Sequence, residues 1–395
     1  MIKKVLCINP NSSQYQALYY FTKKIHAAFL RLGYDCRLLD NDEHIIHHIS
    51  DDPPDLLFCF NGALFVSPEL FLCDIIKIPQ ISCLVDHPFA FAKLFKSPYV
   101  IVTSDDQAST KILHEHMFPP TVFMPHAVER ELAPVPNSER IYDVVLLASY
   151  INFQGIKEFW KKNYPFWVCL ALDDAIDLTL SDEQTTFVDA FRNAINKRIK
   201  LRSPNEKNDI NLLEIFGQLE LYIKGRERYD MLNAIEDAEV HIFGNADHAS
   251  NWKGLLPHKK NLHYHDAVSY EESLKIMQQS KIVLNCGLKN KFGAHERIFA
   301  GLACEALVIT HANPYLRTQF QEDKEICFYQ YSQISQLNQK IKFYLENDAK
   351  REQVAKAGRL NVMAHHTWDH RIQQLMKDIA PYLEKIAQLK NEEKE

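Results

Sequence analysis

The sequence lacks several features that define large classes of proteins. Its nine cysteines are scattered singly and no CxxC spacing occurs, which argues against a zinc site or a disulfide framework. No apolar run reaches about 18 residues, so we expect no membrane-spanning segment. The formal net charge of −6 gives no general attraction for nucleic acid or for an anionic membrane. What remains is a globular chain with 46% hydrophobic and 24% charged residues.

The beginning of the chain has the pattern of a first β-strand. Residues 1–8 read MIKKVLCI, and this stretch is too short for a secretory signal peptide. The cysteines lie mostly inside apolar runs, which is typical of small buried side chains in a reducing compartment. We therefore expect a cytoplasmic protein without a transmembrane segment. Peripheral membrane association and the oligomeric state stay open.

The first 130 residues contain a series of short apolar runs separated by helical patterns. The runs are 3–9, 35–40, 55–60, 79–85, 99–104 and 121–125. Between the first two lies a helical stripe that Gly33 ends. Short continuous runs of this kind are typical of parallel strands that are buried on both faces. The alternation therefore predicts an α/β fold with a doubly wound sheet.

A second series follows a Pro-containing polar segment at 133–140, which we interpret as a domain linker. Its runs are 143–148, 239–243, 261–265, 281–286, 306–310 and 326–329. We predict one Rossmann-like domain over residues 1–135 and another over 142–365, with a mostly helical insertion at about 151–236. A terminal helical segment, 366–395, completes the chain.

The segment 292–310 predicts a glycine-containing loop, a short helix and a buried strand. Backbone N–H groups around Gly293 would lie at the helix N-terminus, where they attract anions. Arg297 lies in the first turn, where the helix dipole disfavours a cation unless an anion lies beside it. Ile298 and Leu302 mark the buried face, so Arg297 is free to contact a ligand. The alternative is a surface helix with a solvated arginine.

Several further motifs are loose individually, but their order and spacing together are fairly specific. They are 123–128 (FMPHAV), 143–150 (DVVLLASY), 240–244 (VHIFG), 265–272 (HDAVSYEE), 282–285 (IVLN), 302–304 (LAC), 313–314 (NP) and 366–371 (HTWDHR). With the Arg297 helix, they resemble glycosyltransferases of the GT-B fold, more narrowly the CgeB-like, group 1 type of bacteria. The resemblance is good over about 120–150 and 238–375. It is limited to the fold over 1–118 and weak over 151–236.

The resemblance implies two Rossmann-like domains that face each other across a cleft, with C-terminal helices returning to the first domain. It implies a hexosyl- or related transferase that moves a sugar from a nucleotide-diphosphate sugar to a glycan or protein acceptor, a cell-surface glycan among them. The sugar nucleotide is the donor substrate, and neither a cofactor nor a metal ion is implied. Nucleic acid is not an expected partner.

Three departures from the family pattern bear on activity. Ala300 stands where many relatives carry a glutamate that is thought to hold the donor ribose, and Glu305 stands where they usually have glycine. A basic pair that is common near the start of the second domain is missing from 149–155. Glu296 and Glu305 are alternative ribose contacts. A degenerate protein that binds a sugar nucleotide or glycan without turnover, and a nucleotide-sugar epimerase, stay open as alternatives.

For the leaving diphosphate we select Arg297, the backbone of Gly293 and Ala294, and Lys291 from the preceding loop. A planar guanidinium pairs well with phosphate oxygens, whereas Lys291 could equally be a solvated loop lysine. Ligands of α/β sheets bind beyond the carboxyl ends of the strands. Further donor-binding candidates at such positions are Gly244, His265, Val268, Asn285, Glu296 and Asn313. The glycine and the two asparagines are also typical of turns and caps.

For the acceptor side we select residues that follow strands of the first domain. Asp86 and His87 follow the fourth predicted strand, and His126 comes shortly before the linker. A carboxylate or imidazole there could act as the general base, although an aspartate can also cap a turn. The polar segment 9–13 follows the first strand, and its serines could equally cap the next helix.

Overall fold

A computed structural model describes residues 2–41, 45–62, 64–67, 70–115, 120–202, 210–245 and 247–392; the end of the predicted terminal segment, 393–395, lies outside them. The chain divides into two compact units. The first comprises Met1–Leu132, Ser269–Glu271 and Val362–Glu395, and the second comprises Ala133–Val268 and Glu272–Asn361. Within the described part of the chain, no helix combines the length and the apolar character that crossing a bilayer requires.

The first unit is built on a parallel sheet. Its strands are β1 (Lys4–Asn9), β2 (Asp35–Asp40), β3 (Leu56–Phe60), β4 (Phe65–Ser67), β5 (Leu70–Phe71), β6 (Gln80–Cys83), β7 (Val100–Ser104) and β8 (Thr121–Phe123). Six of them form a sheet in the order β2-β1-β3-β6-β7-β8, and β4 and β5 form a separate antiparallel pair. All five residues of β3 are buried, as expected for a strand covered on both faces.

Helices of the first unit come from both ends of the chain. They are α1 (Ala17–Arg31), α2 (Ile45–Asp51), α3 (Leu72–Ile76) and α4 (Gln107–Glu115). The predicted apolar stripe of α1 buries Phe21, Ile25 and Phe29, and Gly33 follows the helix at a φ of 87°, where a side chain would be strained.

The second unit contains the other parallel sheet. Its strands are β9 (Tyr142–Leu147), β10 (Val240–Phe243), β11 (Leu262–His265), β12 (Ser280–Asn285), β13 (Leu307–His311) and β14 (Cys327–Tyr329). Their order is β11-β10-β9-β12-β13-β14. Counted from β9, this is 3-2-1-4-5-6, the strand order of a Rossmann fold. The predicted fold class, α/β with two Rossmann-like domains, is therefore confirmed.

Helices occupy most of the remaining chain. They are α5 (Phe153–Asn163), α6 (Phe166–Ser181), α7 (Phe187–Arg198), α8 (Leu212–Ala234), α9 (Asp247–Leu255), α10 (Tyr270–Gln278), α11 (Glu296–Ala303), α12 (Pro314–Gln319), α13 (Leu337–Glu346), α14 (Asp348–His365), α15 (Trp368–Asp378) and α16 (Ala380–Glu392). The last two belong to the first unit. Trp368 is joined to Val128 by a backbone hydrogen bond, and Asp369 accepts two hydrogen bonds from Arg31.

Candidate functional site

The strand order of the second sheet reverses between β9 and β12. In open α/β sheets, ligands bind at such a reversal, beyond the carboxyl ends of the strands. Ser149 lies just after β9, and Asn285 is the last residue of β12. The side chains around these two positions therefore define the candidate site.

Asn285 orients Arg297 at this edge. The asparagine is fully buried, and its amide donates to the hydroxyl of Thr310 on β13 at 3.0 Å. Its Oδ1 accepts a hydrogen bond from Nη1 of Arg297 at 3.1 Å. Because Arg297 is the second residue of α11, its guanidinium lies at the carboxyl edge of the sheet rather than on a distant helix face. The sequence placed both residues among the donor contacts, and the structure brings them together.

A second guanidinium comes from α8. Nη1 of Arg228 donates to the carbonyl of Ser149 at 2.6 Å, and the side chain lies near Cys286. Its Nε is buried without a hydrogen-bond partner in the described part of the chain. Burial lowers the pKa of Arg228, and the nearby charge of Arg297 lowers it further. Among the described residues, neither arginine forms an ion pair with a carboxylate. Two neighbouring cations without a carboxylate partner are the arrangement that an anion site requires.

The sequence analysis missed Arg228. It found no basic pair in 149–155, but α8 brings Arg228 to the carbonyl of Ser149 from 79 positions along the chain. The available signal was the charged run 224–228 (KGRER) inside an otherwise partly apolar helix. Glu227 in that run is only 1% exposed, so the run is not a fully solvated helix face.

Glu227 fixes the loop that follows β12. One of its oxygens accepts from the backbone N–H of Gly287 at 2.9 Å and the other from Leu288 at 3.1 Å. The hydroxyl of Tyr329 donates to it as well, at 2.9 Å. Burial raises the pKa of Glu227, and these hydrogen bonds oppose the rise. Since its oxygens are engaged by the loop and by Tyr329, Glu227 acts as a positioning group.

Lys291 has two backbone partners. Its side chain is fully buried, and Nζ donates to the carbonyls of Thr179 and Asp182 at 2.8 and 2.7 Å. Burial lowers the pKa of this lysine to about 8. The placement ties the loop after β12 to the end of α6. The structure thus directs Lys291 toward these carbonyls, and the second cation beside Arg297 is Arg228.

Two other lysines lie on the same side of the unit and share one carboxylate. Nζ of Lys224 is 2.6 Å and Nζ of Lys289 is 3.2 Å from Oε1 of Glu220. Burial lowers the pKa of Lys224 to about 8, with further lowering from Lys289 and Arg228. Both lysines are therefore held by Glu220 near the arginines.

Asn313 positions the predicted glycine loop. Its amide donates to the carbonyls of Asn290 and Gly293 at 2.7 and 3.0 Å, and its Oδ1 caps α12 by accepting from Leu316. Ala294, next to the glycine, is 1% exposed. Asn313 therefore holds the loop that leads into α11, which matches the turn and cap alternative.

The two alternative ribose contacts lie at opposite ends of α11. Glu296 is the first residue of the helix, next to Arg297, and its Oε2 is 2.6 Å from Nδ1 of His295. Burial lowers the pKa of His295 to about 3, so its ring is neutral at physiological pH. Glu305 lies beyond the other end of this eight-residue helix, which is about 12 Å long. Its φ of 57° is a conformation that favours glycine, which accounts for a glycine in relatives. Ala300 is fully buried.

Gly244 lies at the end of β10, beside β9. Its N–H donates to the carbonyl of His265 at 3.2 Å, and a Cβ at this position would lie 2.8 Å from the carbonyl oxygen of Ala148. His265 ends the edge strand β11, where its ring stacks on Phe243 with centroids 4.4 Å apart. Burial lowers the pKa of His265. Val268 is half-buried in the loop that follows. Of these three predicted contacts, Gly244 is nearest to the reversal of the sheet.

Replacing Gly244 with alanine is expected to lower the free energy of unfolding by about 1–3 kcal/mol, because the new methyl group overlaps backbone. Gly217 in α8 is the matched control, since a Cβ there meets nothing within 4 Å. Gly217→Ala should raise stability by up to about 1 kcal/mol through helix propensity. Urea denaturation measures both changes. Equal stability of the two variants would contradict the close approach at Gly244.

The acceptor-side candidates lie at the carboxyl edge of the first sheet. Asp86 is exposed and accepts a hydrogen bond from Nδ2 of Asn61 at 3.0 Å, and His87 is half-buried beside it. His126 is 6% exposed, with its Nε2 3.8 Å from a carboxylate oxygen of Asp105. These residues follow the neighbouring strands β6, β7 and β8. The three predicted residues therefore lie at the same edge of the first sheet, and Asp86 is the most exposed of them.

Potential metal ligands do not cluster among the described side chains. These contain no group of three or more His, Cys, Asp or Glu residues that could hold a metal ion. All nine cysteines are free thiols. Cys286 lies at the candidate site, where burial raises its pKa to about 12, so it is not a thiolate at neutral pH.

Comparisons with known proteins agree with this architecture. Residues 226–377 match a family model described as glycosyl transferase-like. HepE from Anabaena, in complex with UDP and glucose, is 9% identical, with 96% of this chain and 100% of that chain covered and a TM-score of 0.55. Sucrose-phosphate synthase from Thermosynechococcus elongatus is 10% identical, with 95% and 98% covered and a TM-score of 0.56.

A third similar structure is an alpha-glucosyltransferase in complex with UDP and a 13-mer DNA containing a HMU base. It is 11% identical, with 96% of this chain and 100% of that chain covered and a TM-score of 0.56. No curated protein sequence matches the chain significantly. At such low identities the structural likeness concerns the fold. The chain therefore has the GT-B fold seen in these glycosyltransferase structures, and its residues 226–377 match the glycosyl transferase-like family model, in agreement with the resemblance found in the sequence.

Proposed function

We propose that the chain is a glycosyltransferase that moves a hexosyl or related sugar from a nucleotide-diphosphate sugar to a glycan or protein acceptor. The observation that carries the proposal is the pair of guanidinium groups, Arg228 and Arg297, at the reversal of the second sheet. Neither has an ion-paired carboxylate in the part of the chain that the structure describes. Two of the similar structures contain UDP, so UDP-sugars are the first donors to test. A cytoplasmic bacterial enzyme of cell-surface glycan assembly is part of the proposal.

The proposed chemistry follows from where charge develops. When the bond between the sugar and the diphosphate breaks, the leaving phosphate gains negative charge, and preorganised cations stabilise the transition state. Arg297 is preorganised by Asn285, and Arg228 by the carbonyl of Ser149. Glu296, at the same end of α11 as Arg297, is the proposed contact for the donor ribose.

On the acceptor side we propose Asp86 as the general base. Its carboxylate is exposed at the carboxyl edge of the first sheet, and Asn61 holds it by one hydrogen bond. A base in this position would take the proton of the acceptor hydroxyl as that oxygen attacks the anomeric carbon. His87 and His126 are the alternatives at the same edge.

A panel of sugar nucleotides tests the proposal. We expect release of nucleoside diphosphate from at least one donor when a glycan or protein acceptor is present, with transfer of the sugar to that acceptor. Donor binding without any release would instead favour the degenerate binding protein, which the buried Ala300 in place of a glutamate also favours. An isomeric sugar nucleotide as the product would indicate an epimerase.

Removal of divalent metal ions should leave the transfer largely intact. Two arginines and the N-terminus of α11 supply the positive charge that a Mg²⁺ ion would otherwise supply. Initial rates with and without EDTA, followed by re-addition of Mg²⁺ or Mn²⁺, measure the effect. A rate that falls to background in EDTA and returns with metal would contradict charge stabilisation by the arginines alone.

A further inference from the structure

The first unit contains a pocket of about 270 Å³ at the place where its sheet order reverses. The reversal lies between β1 and β3, and the pocket is lined by the ends of both strands and by the loop after β1. Its polar lining includes Asn9, Asn11, Ser12, Asn41 and Asn61. The volume lies near the lower end of the roughly 300–1,000 Å³ of small-molecule pockets, which suits one ring rather than a chain.

The residues of this pocket are chemically selective. Its four asparagines are all the asparagines in the first 132 residues of the chain, so the amides are concentrated at one place. No lysine, arginine or histidine is among the described residues that line it. The remaining lining is largely apolar, with Phe60 and Leu18 as its larger members. Amides beside apolar surface match the hydroxyl groups and the C–H face of a sugar ring.

Asn9 lines the pocket and carries an unused acceptor. Its side chain is 8% exposed, and Nδ2 donates to the carboxylate of Asp40 at 2.8 Å. This bond fixes which end of the amide is the oxygen, since a carboxylate needs a donor. Oδ1 is buried and has no hydrogen-bond partner among the described residues. A buried acceptor without a donor is the part of the pocket that a ligand hydroxyl would satisfy.

Asn61 connects the pocket to Asp86. It has a φ of 48°, a left-handed conformation that asparagine tolerates better than most residues. Its Oδ1 accepts from the N–H of Val85 at 3.0 Å, and its Nδ2 donates to Asp86 at 3.0 Å. A ring bound in the pocket therefore lies beside the carboxylate proposed as the base.

We infer that this pocket binds one uncharged sugar ring, the terminal residue of a neutral glycan acceptor. The charged groups bonded to its lining are the carboxylates of Asp40 and Asp86, and none of the described residues that line it carries a positive charge. Negative charge without a cation repels phosphates and uronic acids. The role of the bound sugar as an acceptor rests on the proposed function, whereas the binding of a neutral sugar does not depend on it.

Saturation-transfer NMR without nucleotide tests the binding. The probes are methyl glycosides of glucose, galactose, mannose and N-acetylglucosamine, compared with glucose 6-phosphate and glucuronic acid at equal concentration. We expect at least one neutral glycoside to bind and the two anionic sugars to bind at least tenfold more weakly. Asn9→Leu, which keeps the size but removes the acceptor, should lower the affinity at least tenfold. Gln107→Leu, an exposed amide on α4, should leave it unchanged.

A second variant protects the test against misfolding of Asn9→Leu. Asn11 is exposed, so Asn11→Ala should fold normally and still weaken the neutral glycoside several-fold. The inference is overturned if no neutral glycoside binds, if the anionic sugars bind as well, or if both variants bind like the wild type. UDP binding, measured on the same samples, separates the two proposals. Retained UDP binding with no sugar binding overturns only the pocket, whereas lost UDP binding overturns the donor site.

Discussion

Replacing either Arg297 or Arg228 with alanine is expected to weaken the binding of UDP and of the sugar donor by roughly 10- to 150-fold. Each removes one charge-assisted contact to the diphosphate, of about 1.5–3 kcal/mol. The two effects should not simply add in the double variant, because both guanidinium groups would contact the same anion and the charge of Arg297 acts on Arg228. Isothermal titration calorimetry measures the affinities.

Two substitutions sharpen this prediction. Arg297→Lys should restore only part of the affinity, since an ammonium group cannot reproduce the planar fork. Arg198 is the matched control, because it is an arginine of the same unit whose guanidinium is paired with both carboxylate oxygens of Asp174. Arg198→Ala should leave UDP binding unchanged. If Arg297→Ala and Arg228→Ala also bind every donor like the wild type, the anion site has to lie elsewhere.

The folding stability of Arg297→Ala should change much less than its ligand affinity. The substitution removes one hydrogen bond to Oδ1 of Asn285, worth about 1 kcal/mol. It also removes the repulsion between the two neighbouring guanidinium groups, which offsets part of that loss. Thermal denaturation without ligand should therefore show a small shift, whereas the stabilisation that UDP gives the wild type should be largely lost.

The sequence patterns predicted the strands of both six-stranded sheets. Each of the twelve predicted strands overlaps an observed strand, because a parallel strand covered on both faces needs a continuous apolar run. The hairpin of β4 and β5 and the short helix α3 were not predicted. Their elements have two to five residues, too few for a period to show. Local chemistry also placed Arg297 in the first turn of a helix correctly.

The composition of the candidate site depended on contacts that no local pattern contains. Arg228 reaches Ser149 and Cys286 only because α8 lies against the carboxyl edge of the sheet. Lys291 lies six positions before Arg297 in sequence, yet its side chain reaches the carbonyls of Thr179 and Asp182 at the end of α6. Which of two nearby cations faces the site is thus decided by tertiary packing. The sequence alone could nominate the cations but could not choose between them.

For an inverting reaction, Asp86→Asn is expected to lower kcat by a factor on the order of 10²–10⁴, with donor affinity nearly unchanged. The substitution is well suited to the question, because an asparagine oxygen can still accept the hydrogen bond from Nδ2 of Asn61. The shape and that hydrogen bond are kept while the basic carboxylate is lost. Steady-state kinetics with a saturating donor, beside calorimetry with UDP, separates turnover from donor binding.

The anomeric configuration of the product decides how the outcome of Asp86→Asn is interpreted. An inverted product with near wild-type turnover would contradict Asp86 as the base and transfer the role to His87 or to His126, which lies near Asp105. A retained configuration would remove the need for an enzymic base on that face of the sugar, so turnover should then change little. In the inverting case, His126→Gln distinguishes the two histidines, because turnover falls only if His126 is the base. His126 is buried, whereas His87 is half-buried beside Asp86. If only Asp86→Asn loses turnover, the base is Asp86. It then lies next to the amide-lined pocket, because Asn61 both lines that pocket and donates a hydrogen bond to the Asp86 carboxylate.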